Sequence, residues 1–107
     1  MRLTPHEVTA IERAARECFA PRSTVRLFGS RLDDARRGGD IDLLIEPPFP
    51  LEPQALVEQR NRFIARLYRL LGERQIDVLV VPAGAPDERP IIKAARRDGR
   101  LLAEVPG

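Results

Sequence analysis

The residues whose types and spacing can do chemistry are three aspartates and one glycine–serine step. Asp40-Ile41-Asp42-Leu43-Leu44-Ile45 reads as a strand. In an extended chain side chains alternate, so Asp40 and Asp42 share one face while Ile41, Leu43 and Ile45 take the other. Their Cα atoms then lie about 6–7 Å apart, two residues of strand rise. Two carboxylates so placed repel each other, and one pKa rises, unless a cation neutralises them. Hard oxygen ligands of this kind favour Mg²⁺ or Mn²⁺. A third carboxylate, Asp77, stands near the head of Gln75-Ile-Asp-Val-Leu-Val-Val81, an otherwise β-branched run. If the two strands pair, Asp77 joins Asp40 and Asp42 in a cluster that suits metal ions. Upstream, Gly29 allows a close backbone approach to a phosphate. The N–H groups after it, with the Ser30 hydroxyl, can hold a triphosphate tail. The segment is not a Walker A loop, because no Gly-Lys-Ser/Thr is present.

Each residue also has a plain structural reading. Asp40 can be a turn residue after Gly38-Gly39, and Asp42 and Asp77 can sit on a solvated sheet face. Ser30 can cap a short helix at 31–34, a role compatible with phosphate contact. Arg31, Arg36 and Arg37 either offset triphosphate charge or belong to a solvated loop. Glu46 lies too far along its strand to serve as a ligand of the same site. The stripe of Arg62, Arg66 and Arg69 reads as a solvated face, or more sharply as a partner interface.

The elements that must position these residues follow from punctuation and periodicity. Thr4, Pro5 and Glu7 form a capping box at the start of a first helix, with Val8, Ile11, Ala15, Cys18 and Phe19 on one face. Strands are expected at Thr24 to Phe28, Asp40 to Glu46 and Gln75 to Val81. A long helix, about Pro53 to Leu71, carries the apolar stripe Leu56, Phe63, Leu67, Leu70 and Leu71, with Glu58 set to pair with Arg62. Gly72 stops it. Pro90 opens a third helix, ended by Gly99, and Leu101 to Val105 is either an edge strand or an extended arm. The expected fold is α/β in the α+β sense: a small mixed sheet packed with about three helices.

The 107 residues, 43% hydrophobic and 32% charged, fit one soluble domain spanning 1–107. One cysteine, Cys18, and one histidine, His6, argue against a disulfide framework, a multi-cysteine zinc site or a histidine-based centre. No apolar run approaches the roughly 20 residues that span a bilayer. The opening residues lack the apolar core of a signal peptide, so a cytoplasmic location is expected, with no membrane partner. A net charge of +2 is a weak handle for nucleic acid, which argues against that partner.

Leu27-Phe28-Gly29-Ser30, nine further residues, Asp40-Ile41-Asp42, and Asp77 on a later strand resemble the DNA polymerase beta-like nucleotidyltransferase superfamily. The closest resemblance is to its minimal branch, the MNT-domain proteins, and it runs through nearly the whole chain. Pro90-Ile-Ile-Lys-Ala-Ala-Arg-Arg-Asp-Gly99 looks like the last helix of those proteins. The resemblance implies a nucleotidyltransferase fold, with Asp40, Asp42 and Asp77 as catalytic carboxylates and ligands of two Mg²⁺ ions, Mn²⁺ being an alternative. It implies Gly29 and Ser30, with Arg31, as the nucleotide contact, and ATP as substrate. Members of this branch are often encoded beside a HEPN-domain ribonuclease toxin, and some silence it by transferring AMP to a tyrosine. The resemblance thus implies an antitoxin enzyme with a HEPN partner; a catalytic core this small must borrow its acceptor site from a partner chain or from self-association, a homo- or hetero-oligomer being the two forms left open. The spacing from Gly-Ser to Asp-x-Asp is one residue shorter than in the adenylylating antitoxins. Two other readings stay open: an antitoxin of this fold that neutralises by binding alone, and a small-molecule nucleotidyltransferase. The latter would ordinarily need a further substrate-binding domain, which this length does not hold.

Overall fold

The computed structural model describes residues 3–29, 41–72 and 74–107. Ser30, Arg31, Arg36, Arg37 and Asp40, with the short helix expected at 31–34, lie outside the described residues.

Helix α1 (Pro5–Cys18) starts where the capping box predicts. Thr4 Oγ1 accepts from the Glu7 amide at 3.1 Å, and the Thr4 amide donates to Glu7 Oε1 at 2.7 Å. Glu7 is buried, and its carboxylate also takes the guanidinium of Arg74, which fastens the helix start to the segment ahead of a later strand. Ile11, Ala15, Cys18 and Phe19 are buried as expected. Val8 is only half-buried, and Ala10 and Ala14 complete the apolar face. Phe19 has left the helix as its extended C-cap. Its ring meets Phe63 edge-on, centroids 5.3 Å apart. Cys18 is buried in the core, and that burial raises its thiol above the ordinary value.

Strands β1 (Thr24–Phe28) and β2 (Ile41–Glu46) pair antiparallel. Helix α2 (Pro53–Leu71) then supplies the crossover that a parallel neighbour requires, and β3 (Ile76–Val80) pairs parallel with β2. Helix α3 (Pro90–Asp98) leads to β4 (Arg100–Glu104), which pairs antiparallel with β1. The order is β3-β2-β1-β4, a four-stranded mixed sheet with three helices, and the fold class is α+β as the sequence predicts. The tail left open between edge strand and arm is an edge strand.

Alternation along the strands splits the core into two layers. Val25, Leu27, Ile41, Leu43, Ile45, Ile76 and Val78 face α1 and α2, where they pack with Ile11, Phe63 and Leu67. Phe28 and Leu44 face the other way, onto Ile92 and Ala95 of α3. Leu56, Leu70 and Leu71 contribute to the first layer while only partly buried. The basic stripe on α2 is not uniformly solvated: Arg66 is half-buried and ion-paired to Glu17 of α1 at 2.6 Å, whereas Arg62 and Arg69 are exposed. Glu58 accepts from Gln54 at 3.2 Å instead of pairing with Arg62. Arg60 donates to the Val78 carbonyl at 2.8 Å, so a charged side chain lies against β3, an edge strand of the sheet. No described helix is long and apolar enough to cross a membrane.

Candidate functional site

Register brings the described candidates into one row. Phe28 of β1 lies opposite Asp42 of β2, and Asp42 lies opposite Asp77 of β3. Adjacent strands are about 4.8 Å apart, so the two aspartates are next neighbours across the sheet. By alternation both are on the α3 side, Asp42 with Leu44 and Glu46, and Asp77 with Leu79. Asp42 is half-buried and Asp77 exposed. The pairing on which a carboxylate cluster depends is therefore present. Among the described residues no group of three His, Cys, Asp or Glu side chains is placed to hold a metal, and Asp40 lies outside them.

Gly29, directly after β1, adopts φ +77°, a left-handed conformation that side chains rarely accept. A Cβ built there would overlap Oδ2 of Asp42 and stand 3.1 Å from its Cγ. The backbone at Gly29 and the carboxylate of Asp42 are thus in intimate contact, and only glycine leaves room for both.

A cavity of about 420 Å³ opens beside this contact. Phe28, Gly29 and Asp42 line it from the sheet, and Ile91, Ala94, Ala95 and Asp98 from α3. Asp77 does not line it; it flanks the site on the exposed side. The α3 wall was not legible in the sequence. Its one local signal is the Ala94-Ala95 pair, small residues in a helix otherwise rich in charge. Asp98 is bonded to Arg97 at 3.0 and 2.9 Å, which holds its carboxyl below the ordinary value. Asp98 thus enters the cavity rim as half of an ion pair with Arg97.

Glu46 is not part of the site, as its distance along the strand predicts. It is 8% exposed and carries two ion pairs, with Arg26 at 3.3 Å and Arg96 at 2.9 Å. His6 is exposed on α1.

The approach to α3 is organised by Asp87. Its carboxylate accepts from the Arg89 amide at 3.0 Å and from the Arg89 guanidinium, an Asx-type turn one residue ahead of the helix. These bonds pull its pKa from 3.8 down to about 2. Because the folded value is depressed, the contribution of this turn is complete above the unfolded pKa and is lost as pH falls from 3.8 toward about 2. A carboxyl ¹³C titration should find the Asp87 midpoint near 2, and Arg89→Gln should return it toward 3.8. An unshifted Asp87 in the native chain would show that the turn is not formed in solution.

No family model matches the chain, and no curated protein matches it in sequence.

Proposed function

We propose that the chain is a metal-dependent nucleotidyltransferase of the minimal, DNA polymerase beta-like kind, which transfers AMP from ATP to a hydroxyl of a partner protein. The observation that carries this reading is the row of Phe28, Asp42 and Asp77 across three strands, with the Gly29 backbone pressed on Asp42 at the mouth of a cavity.

The donor set fits a hard divalent cation. Asp42 and Asp77 offer carboxylate oxygens from adjacent strands on one face, and Asp40 would add a third two residues before Asp42. Mg²⁺ held there would neutralise phosphate oxygens and lower the pKa of an acceptor hydroxyl. The chain itself supplies the geometry. Gly29, without a side chain, lets the end of β1 lie close to a phosphate. Phe28, Ile91, Ala94 and Ala95 give the cavity an apolar wall, against which the base of a nucleotide would pack. Asp77, exposed, would orient the acceptor hydroxyl and take its proton as oxygen attacks the α-phosphorus and pyrophosphate leaves. Positioning and charge compensation carry such a reaction.

The acceptor proposed is a tyrosine of a HEPN-type toxin, and the chain would act as its antitoxin in the cytoplasm. The test is intact mass spectrometry of a HEPN-type protein encoded beside this chain, incubated with the chain and ATP, with Mg²⁺ or with excess EDTA. A gain of one or more AMP units with Mg²⁺, absent with EDTA, is the expected result. An unmodified partner in a stable complex would reject the transfer for that protein and leave neutralisation by binding.

A further inference from the structure

The three same-face residues of β2 meet α3 in three different ways. Asp42 looks into the cavity, Leu44 packs in one cluster with Ile92 and Ala95, and Glu46 is bonded to Arg96. Helix α3 has nine residues, fewer than the dozen or so that an isolated helix needs, so its place depends on what it touches. It fully buries only Ile92 and Ala95. Ala95 and Phe28 belong both to that small cluster and to the cavity wall. Any shift of α3 therefore changes the width of the cavity.

Among the described residues, Arg96 restrains that shift with three hydrogen bonds. Its Nε donates to Glu46 Oε2 at 2.9 Å, Nη1 to the Ala85 carbonyl at 2.7 Å and Nη2 to the Pro82 carbonyl at 3.1 Å. One planar guanidinium thus ties α3 to the strand that carries Asp42 and to the loop that follows the strand of Asp77. A lysine has one nitrogen and cannot serve three acceptors in one plane. Glu46 takes Arg26 of β1 as well, at 3.3 Å, so the elements that form the cavity meet at this carboxylate.

We infer that Arg96, acting through Glu46 and the two loop carbonyls, is a positioning residue that sets the distance of α3 from the sheet and with it the fit of a nucleotide beside Asp42. The nucleotide part of this inference rests on the proposed function; the positioning of α3 does not. The test compares Arg96→Ala and Arg96→Lys with Arg26→Ala, which removes the other ion pair on Glu46 and leaves all three Arg96 bonds in place. Two readouts are taken on the full chain: the affinity for a non-hydrolysable ATP analogue with Mg²⁺, and the NOEs that join Phe28 and Leu44 to Ile92 and Ala95. Arg96→Ala should weaken nucleotide binding about tenfold and erase those NOEs, with Arg96→Lys moving the same way by less. Arg26→Ala should keep the NOEs and bind within about twofold of the native chain, at a comparable loss of Tm. Retention of both NOEs and affinity in Arg96→Ala would overturn the inference, because the clamp would then be structural only. A native chain that binds no nucleotide, while Arg96→Ala still loses the NOEs, would sink the nucleotide reading and leave the positioning of α3 intact.

Discussion

Asp42→Asn is expected to lower the proposed AMP transfer by about 10³-fold while the protein still folds. The substitution keeps the shape of the side chain and one oxygen, so the contact with Gly29 is sterically unchanged. It removes the negative charge, and a neutral amide oxygen is a far poorer partner for a divalent cation competing with water. Of the two aspartates Asp42 is the half-buried one and the one that lines the cavity, so its charge is the less screened by solvent. Asp77→Asn should cost less, about 10²-fold, because Asp77 is exposed and its proposed work is to orient and deprotonate the acceptor. Single-turnover rates at saturating ATP, with thermal melts in parallel, measure both. Mg²⁺ with ATP should raise the Tm of the native chain by mass action, and this gain should vanish in Asp42→Asn. If Asp42→Asn transfers AMP at the native rate, the carboxylate row is sheet surface and not a reaction centre.

The order of these two effects was not legible in the sequence, although the residues were. Alternation assigned Asp42 to the face opposite Ile41, Leu43 and Ile45, and β-branched composition marked Asp77 as out of place. Both inferences are local, and both depend only on the period of a strand. Helix limits were legible for the same reason: the Thr4–Glu7 capping box and Gly72 are signals that act within one turn. What was hidden is tertiary. Helix α3 covers the aspartate face because Ile92 and Ala95 find Phe28 and Leu44, and nothing within residues 90 to 98 names those partners. The same holds for Glu46, whose two arginines come from β1 and α3, and for Arg66, which reads as one member of a solvated stripe until α1 brings Glu17 to it.

The edge strand β4 shows how local irregularity defeats a local reading. Its pairing with β1 shifts register between Val25 and Arg26, so that Leu101 lies opposite Arg26 but Ala103 opposite Val25. The extra residue breaks the period of two, and Leu102 and Ala103 both pack toward the α1–α2 layer while Leu101 is exposed. Arg-Leu-Leu-Ala-Glu therefore carries no alternation by which a strand could be recognised. Irregular pairing of this kind makes an edge strand a poorer template for another chain.

Gly29→Ala and Gly72→Ala form the pair that separates backbone strain from function. Both glycines have a positive φ, +77° and +81°, which at Gly72 is combined with ψ 174°. An alanine at either position should cost about 1–3 kcal/mol of stability, because a Cβ is strained there whatever surrounds it. Their surroundings differ. Nothing lies within 4 Å of a Cβ at position 72, whereas one at position 29 collides with the Asp42 carboxylate. A carboxylate is the mobile end of its side chain, so Asp42 can swing aside and the fold is spared the full collision. The site is not spared, because the displaced group is the one proposed to hold the metal. A misplacement of about 1 Å at a reacting centre costs about 10²-fold in rate. The two variants should therefore lose similar stability in urea titrations, while AMP transfer per folded molecule falls about 10²-fold in Gly29→Ala and stays near the native value in Gly72→Ala. Equal transfer by the two would mean that the Gly29–Asp42 contact is a packing accident. Unequal transfer at equal stability would tie the end of β1 to the chemistry of β2, the dependence expected if glycine at position 29 is dictated by the carboxylate and not by the turn.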